Sequence, residues 1–168
     1  MRGNICKEKR MAYVGLPRTG SRYIWSILRP AGFTTDRPDQ VHTHKVPEYK
    51  EDWTYLVSCR NPYQRMVSYY TIAIGPWGQE WKNFEEFVLN FKCKSVYDSV
   101  KHLKNIRFIH FENIVEDLGD LCIQSPPLFV ESEESKNWKD FYTPELEKIV
   151  YKLFENDFKY CDYSRETF

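Results

Sequence analysis

Residues 11–28, MAYVGLPRTGSRYIWSIL, decide the fold class of this 168-residue chain. Their first five residues are mostly apolar and predict a short buried strand. Their last nine carry apolar side chains at helical spacing, with Ile24, Ile27 and Leu28 on one face, and predict a helix. A basic loop with a glycine joins the two. A strand, a tight loop and a helix in this order form the opening unit of an α/β fold.

The same alternation continues along the chain. Tyr55–Cys59 predicts a second strand, and Asn61 and Pro62 are a typical N-cap and first residue for a helix that reaches about Ala73. Residues 106–111 alternate between apolar and polar and predict a third strand. Further elements are predicted at residues 40–44, a short strand, and at residues 84–91, 95–104 and 144–158, all helices.

These elements predict an α/β fold with one domain over residues 1–168, three layers and a mostly parallel central sheet. Residues 1–10 are rich in charge and are expected to form a loose extension before the first strand. Ligands of parallel sheets bind beyond the carboxyl ends of the strands. The loops at that edge are therefore the first candidates for function.

Composition narrows the functional classes. Lys and Arg total 24 and Asp and Glu total 24, so the formal net charge is zero and favours neither nucleic acid nor a membrane surface as partner. Charged residues make up 29% and apolar residues 42%, which is typical of a folded globular protein. No run approaches the roughly 18 apolar residues of a membrane-spanning helix, so no integral membrane segment is expected.

The five cysteines are odd in number and widely spaced. Because they form no CxxC pair and no Cys/His cluster, they predict neither a disulfide scaffold nor a metal site. Free thiols are typical of a reducing compartment, and the apolar run at residues 11–16 is too short for a signal peptide. A cytoplasmic location is therefore expected.

The loop at residues 15–22, GLPRTGSR, has the layout of an anion-binding loop. Backbone N–H groups at a helix start lack intrahelical partners, and the helix dipole adds partial positive charge there. Arg18 and Arg22 would add full charges, and Thr19 and Ser21 would add hydroxyl donors. The alternative is a plain connecting turn, because a single strand–loop–helix unit is a weak signal.

The loop is close to the GxxxxG spacing of a Walker A motif but lacks its lysine, since Ser21 and Arg22 stand where that motif requires Lys and a hydroxyl. Cys59 and Arg60 occupy the end of the second strand, where an Asp would help to hold Mg²⁺. ATP–magnesium chemistry is therefore disfavoured, and a P-loop-type nucleotide kinase remains as an alternative.

A second basic corner follows the second strand. Arg60 closes that strand, and Ser68 lies eight residues later, a little over two helical turns along the next helix. The guanidinium and the hydroxyl could share one phosphate, to which arginine can donate two hydrogen bonds. The alternative is that Arg60 pairs with a surface carboxylate.

His42 and His44 form a histidine pair before the second strand. In a strand these side chains point to the same face, and a histidine at the mouth of a parallel sheet can act as a general base near neutral pH. No third ligand follows by spacing, which disfavours a metal site. Hydrogen-bonded structural histidines are the alternative.

In this order, three segments resemble the sulfotransferases that use 3′-phosphoadenosine 5′-phosphosulfate (PAPS). Residues 17–23, PRTGSRY, are similar to the family's 5′-phosphosulfate loop, and residues 42–47, HTHKVP, are similar to the segment with the catalytic base of cytosolic members. Residues 55–70, YLVSCRNPYQRMVSYY, give the most specific likeness, to the family's 3′-phosphate segment. Further likenesses follow at residues 111–114, 138–140 and 142–163.

The resemblance implies a P-loop-NTPase-like sulfotransferase fold and transfer of a sulfuryl group from PAPS to a hydroxyl or amine acceptor, such as a glycan or a phenol. Adenosine 3′,5′-bisphosphate (PAP) would be the product, and no metal would be required. By position, His44 would be the base, His42 a second basic residue and Arg18 the group that stabilises the leaving phosphate. Nucleotide contacts are implied for Pro17, Arg18, Thr19, Gly20, Ser21, Arg22, Tyr23, Arg60, Ser68 and Lys136.

The sequence departs from the family pattern in three respects. Arg18 replaces the usual Lys, and arginine can stabilise charge but does not readily give up a proton. The basic triplet that precedes the late Trp in cytosolic members is absent, so Lys136 or Lys139 would have to substitute for it. Only about twenty residues separate Tyr23 from His44, which leaves little chain to build acceptor specificity. A non-catalytic PAP-binding relative therefore stays open beside the kinase.

Overall fold

The computed structural model describes residues 4–35, 46–73, 81–121 and 137–164. The chain divides into two compact units, and the prediction of one domain over residues 1–168 stays a prediction. The first holds Met1–Arg60 with Ser99–Phe129, and the second holds Asn61–Asp98 with Val130–Phe168. One five-stranded sheet is combined with helices over the described residues, so the predicted α/β character is confirmed.

The sheet belongs to the first unit. Its described strands are β1 Asn4–Cys6, β2 Met11–Val14, β3 Thr34–Thr35, β4 Thr54–Cys59 and β5 Ile106–His110, in the order β3-β1-β2-β4-β5. β2, β4 and β5 are parallel, whereas β1 is antiparallel to both of its neighbours. The sheet is therefore mixed, and the prediction of a mostly parallel sheet holds for its β2–β4–β5 part.

Residues 4–6 correct the expectation of a loose extension over residues 1–10. They form β1, in which Asn4 pairs with Tyr13 and Cys6 pairs with Met11, and all three strand residues are buried. The turn at residues 7–10 closes this hairpin, with the Arg10 amide donating to the Lys7 carbonyl. Three residues are too short to show the alternation that marks a strand, so the sequence pattern gave no signal there.

The described helices, numbered in chain order, are α1 Ser21–Leu28, α2 Pro62–Ala73, α3 Phe84–Asn90, α4 Val96–Val100, α5 Ile114–Leu118, α6 Pro144–Leu153 and α7 Glu155–Tyr160. Single 3₁₀ turns lie at Phe111–Asn113, Gly119–Leu121 and Trp138–Phe141. None of the described helices is long and apolar enough to cross a membrane.

Most predicted helices are confirmed, with two changes of extent. The helix predicted over residues 95–104 is shorter, since α4 ends at Val100. The helix predicted over residues 144–158 begins at Pro144, where the Thr143 hydroxyl caps the Leu146 amide, but it breaks at Phe154 into α6 and α7. The strand predicted at residues 40–44 lies outside the described residues.

One hydrophobic core holds α1 and α5 to the sheet of the first unit. Ile24 and Leu28 of α1 are fully buried with Tyr13, Leu56 and Ile109 of the sheet, and α5 joins the same cluster. This packing fixes the direction in which α1 leaves the sheet. The loop between β2 and α1 therefore lies at the carboxyl edge of the parallel strands, together with the residues that follow β4 and β5.

The second unit has its own core, which is mostly aromatic. Tyr63 stacks in parallel on Trp138, with ring centroids 5.7 Å apart, and also contacts Phe158. Further buried members of this core are Met66, Val67, Phe84, Phe87, Val88, Leu146, Val150 and Phe154.

A buried carboxylate in the second unit caps α4. Asp157 accepts hydrogen bonds from the Ser95 hydroxyl at 2.6 Å, the Val96 amide at 2.9 Å and the Tyr97 amide at 2.8 Å. The buried guanidinium of Arg65 lies 3.7 Å from the same carboxylate. The Asp157 carboxylate therefore links the beginning of α7 to the start of α4, and it lies beside the guanidinium of Arg65 in α2.

Candidate functional site

The loop between β2 and α1 turns the chain through two residues in the left-handed conformation. Arg18 has a φ of 66° and Gly20 a φ of 73°. The left-handed region costs a non-glycine residue roughly 1–2 kcal/mol, so Arg18 is a strained position of the kind that clusters at functional sites. The turn directs the chain into α1 directly after Gly20.

Gly20 is required at this point for two reasons. Its φ favours glycine, and a Cβ added there would lie 2.6 Å from Cδ2 of Phe111. Gly20 is also the N-cap of α1 and makes no side-chain cap hydrogen bond. The partial positive charge at this end of the helix dipole is thus not offset by a capping side chain of the N-cap residue.

Thr19 corrects one expectation from the sequence. Its hydroxyl was predicted to be a donor to a bound phosphate, but Thr19 is buried and its Oγ1 lies 2.6 Å from the Ser58 Oγ. The same hydroxyl donates to the Leu16 carbonyl at 2.7 Å. Because the side chain points into the protein, Thr19 supports the loop from beneath.

The other loop residues differ in exposure. Pro17 and Arg18 are half-buried, Ser21 is buried, and Arg22 is exposed in the first turn of α1. Tyr23, the residue that the resemblance assigns to adenine stacking, is half-buried and packs against the core of the first unit.

Arg60 lies at the carboxyl end of β4, the strand next to β2. The side chain is 5% exposed, and its guanidinium carbon lies 3.8 Å from the centre of the Phe111 ring. Stacking occupies the flat face of a guanidinium, whereas its N–H donors point outward within its plane. The Phe111 ring therefore lies over the guanidinium of Arg60.

Phe111 joins the two basic corners of the first unit. It directly follows β5, and its ring packs against both Gly20 of the loop and the guanidinium of Arg60. The sequence gave no sign of this role, since Phe111 lies 51 residues after Arg60 in the chain. Only the resemblance at residues 111–114 drew attention to the segment.

A hydrogen-bonded pair at the same edge of the sheet, His110 and Asp117, was also not predicted from the sequence. The Asp117 carboxylate accepts a hydrogen bond from the His110 amide at 2.6 Å and lies 2.7 Å from Nδ1 of the His110 ring. This carboxylate satisfies backbone at the end of β5, the last strand of the described sheet. No spacing rule connects a strand residue with a carboxylate seven positions later, beyond a turn.

Four predicted site residues lie either in the second unit or outside the described residues. Ser68 is buried in α2 of the second unit. His42, His44 and Lys136 lie outside the described residues, so the general base remains a prediction. Over the ranges that are described, no group of three His, Cys, Asp or Glu side chains could hold a metal ion.

Comparison with known proteins identifies no relative. No family model matches the chain, and no curated protein or solved structure matches it significantly.

The arrangement in the first unit is suited to an anion with two charged groups. A loop that leads into the start of α1 can receive one of them through backbone N–H groups and the helix dipole. Arg60 can receive the other through charge-assisted hydrogen bonds, which are stronger than neutral ones. The loop amides and Arg60 are therefore two candidate contacts for an anion within the first unit.

Proposed function

We propose that this protein binds a nucleotide phosphorylated at both its 3′ and 5′ positions and uses PAPS as the donor for sulfuryl transfer to a hydroxyl or amine acceptor. The observation that carries the proposal is the contact of one Phe111 ring with both Gly20 and Arg60. It supports one site with two cationic corners. We also propose a P-loop-NTPase-like sulfotransferase fold, which the sequence resemblance implies.

The loop and Arg18 would act on the 5′ side of the nucleotide. The amides at the start of α1 would hold the 5′-phosphate, and Arg18 would stabilise the negative charge that grows on this phosphate as it leaves. Arginine suits this task because it stays charged throughout. Tyr23 would stack on the adenine, and Pro17, Ser21 and Arg22 would complete the loop.

Arg60 would hold the 3′-phosphate through charge-assisted hydrogen bonds. Recognition of this phosphate distinguishes a bisphosphate from AMP or ATP. The loop lacks the lysine of a P-loop kinase, and Arg60 follows β4 where such a kinase would place an Asp. Both features favour PAPS over ATP–magnesium.

His44 would take the proton from the acceptor hydroxyl, with His42 as a second basic residue beside it. As the acceptor oxygen bonds to sulfur, the bond between sulfur and the phosphate oxygen breaks, and PAP leaves. Positioning and charge stabilisation supply most of the catalysis in such group transfers. Replacing His44 by Ala should lower kcat on the order of 10²–10⁴-fold and leave PAP affinity nearly unchanged.

The first experiment measures nucleotide affinity by titration calorimetry with PAP, AMP and ATP–magnesium. We expect PAP to bind most tightly and Arg60→Ala to weaken PAP binding about 100-fold, because a hydrogen bond to a charged group contributes roughly 1.5–3 kcal/mol. AMP binding should change little. Arg60→Lys, which keeps the charge but loses the fork, should give an intermediate affinity.

Arg10→Ala is the matched control, since it removes the same charge from an exposed pair with Asp52 at the start of β2. It should leave PAP affinity unchanged. Equal binding of PAP and AMP would remove the 3′-phosphate site from the account, and preference for ATP–magnesium would favour a kinase. PAP binding without sulfate transfer to any acceptor in a broad panel of glycans, phenols and amines would favour the non-catalytic relative.

A further inference from the structure

Three buried hydroxyl groups lie beneath the loop between β2 and α1. They belong to Tyr13 of β2, Thr19 of the loop and Ser58 of β4, and each of these side chains is 0% exposed. Buried hydroxyls are costly unless they are hydrogen-bonded. Their placement under a candidate ligand loop therefore needs a reason.

Hydrogen bonds from Thr19 and Tyr13 end on the backbone of the loop, and the Ser58 hydroxyl also lies 3.4 Å from the Val14 carbonyl of β2. Ser58 can donate to Thr19, whose Oγ1 is 2.6 Å away, and Thr19 donates to the Leu16 carbonyl at 2.7 Å. Tyr13 donates to the Ser21 carbonyl at 3.4 Å. The two carbonyls stand at the beginning and the end of the turn, so the hydroxyls connect both ends of the loop to the sheet.

The environment keeps these groups as neutral donors. Burial raises the pKa of Tyr13 far above that of a free tyrosine, and the hydrogen bond with Ser58 opposes this shift only in part. The O–H of Tyr13 is thus present throughout the physiological pH range. Apolar side chains of the same size would fill the space but would leave both carbonyls of the loop without these bonds.

We infer that Tyr13 and Ser58, acting through Thr19, are positioning residues that hold the backbone of residues 16–21 in its ligand-binding shape before any ligand arrives. This inference rests on the proposed function, in which those amides receive the 5′-phosphate. A loop that is already ordered loses less conformational entropy on binding. Preorganised donors also stabilise developing charge without having to reorganise.

Hydrogen exchange of the ligand-free protein tests the structural half of the inference. Ser58→Ala and Tyr13→Phe each remove one hydroxyl and little else. In both variants, we expect amides of residues 16–21 to exchange about tenfold faster, after correction for any change in global unfolding. Ser58→Thr keeps the hydroxyl and should restore slow exchange. Unchanged exchange in both deletion variants would overturn the inference.

PAP affinity, measured by titration calorimetry, tests the functional half. Ser58→Ala and Tyr13→Phe should each weaken PAP binding about fivefold to tenfold. Ser95→Ala is the matched control, because it removes a buried hydroxyl of the second unit that bonds to Asp157. It should lower stability but leave PAP affinity unchanged. A loss of stability without loss of affinity in the two loop variants would mean that their hydroxyls only stabilise the fold.

The two proposals fail in different ways. If the wild-type protein binds no PAP, the proposed function fails, and the exchange rates alone then decide whether the hydroxyls hold the loop. If PAP binds and the loop amides exchange equally fast in wild type and variants, the proposed function stands and the positioning role is wrong.

Discussion

At the scale of single residues, the site depends on side chains that set the position of other groups. Phe111 packs against the guanidinium of Arg60 and limits which residue can stand at position 20. Thr19 belongs to the predicted binding loop but directs its hydroxyl inward. The strongest constraints at the candidate ligand site therefore come from the packing of Phe111 and Thr19, which support the loop and Arg60.

Gly20→Ala tests this packing directly. The substitution places a Cβ 2.6 Å from the Phe111 ring on a backbone with φ of 73°, so left-handed strain and overpacking add. We expect a loss of about 2–4 kcal/mol in the free energy of unfolding, measured by urea denaturation.

Gly32→Ala is its matched control. Gly32 also has a positive φ, of 92°, but its added Cβ would meet only Sγ of Cys6 at 3.8 Å. The expected loss is about 1–2 kcal/mol, from backbone strain alone. Equal losses at the two positions would mean that the contact between Gly20 and Phe111 is unimportant.

The residue scale also shows where the sequence was informative about the site. Arg60 became a candidate because it closes an apolar strand, and Gly20 because it belongs to the connection between a predicted strand and a predicted helix. The inward rotation of Thr19 could not be predicted, since it depends on Ser58 in the neighbouring strand. The role of Phe111 could not be predicted because sequence spacing says nothing about contacts between distant segments.

At the scale of elements, apolar runs and helix caps located the long segments well. Tyr55–Cys59 and the helix that begins at Pro62 were both confirmed. β1 was not predicted because three residues are too few to show the alternation of apolar and polar residues that marks a strand. The break between α6 and α7 at Phe154 was not predicted, because Phe154 continues the apolar stripe of the helix. Its backbone nevertheless leaves helical geometry.

Asp157→Ala tests how α2, α4 and α7 are joined. It removes the cap of α4 and leaves the buried guanidinium of Arg65 without this carboxylate. Breaking a buried ion pair on one side costs roughly 3–5 kcal/mol, and urea denaturation should show a loss of that size.

Glu155→Ala is the control for that change, since Glu155 is an exposed acid in the first turn of the same helix. It should change stability by less than about 0.5 kcal/mol. If the Asp157 and Glu155 variants were equally stable, the carboxylate of Asp157 would not hold these helices together.

At the scale of the whole molecule, charge is balanced over the entire chain, whereas each of the two units has a hydrophobic core of its own. Acidic and basic residues balance over the chain, so the proposed attraction for a nucleotide would come from local groups rather than from net charge. Each unit has its own hydrophobic cluster. The two cationic corners that carry the proposal, the loop before α1 and Arg60, both belong to the first unit.

A crystal structure of the protein soaked with PAP tests the central claim most directly. The account predicts the 5′-phosphate against the backbone amides at the start of α1 and the 3′-phosphate within hydrogen-bond distance of the Arg60 guanidinium, which remains stacked on Phe111. A nucleotide bound elsewhere, or one phosphate at the loop with Arg60 turned away from the other, would contradict it.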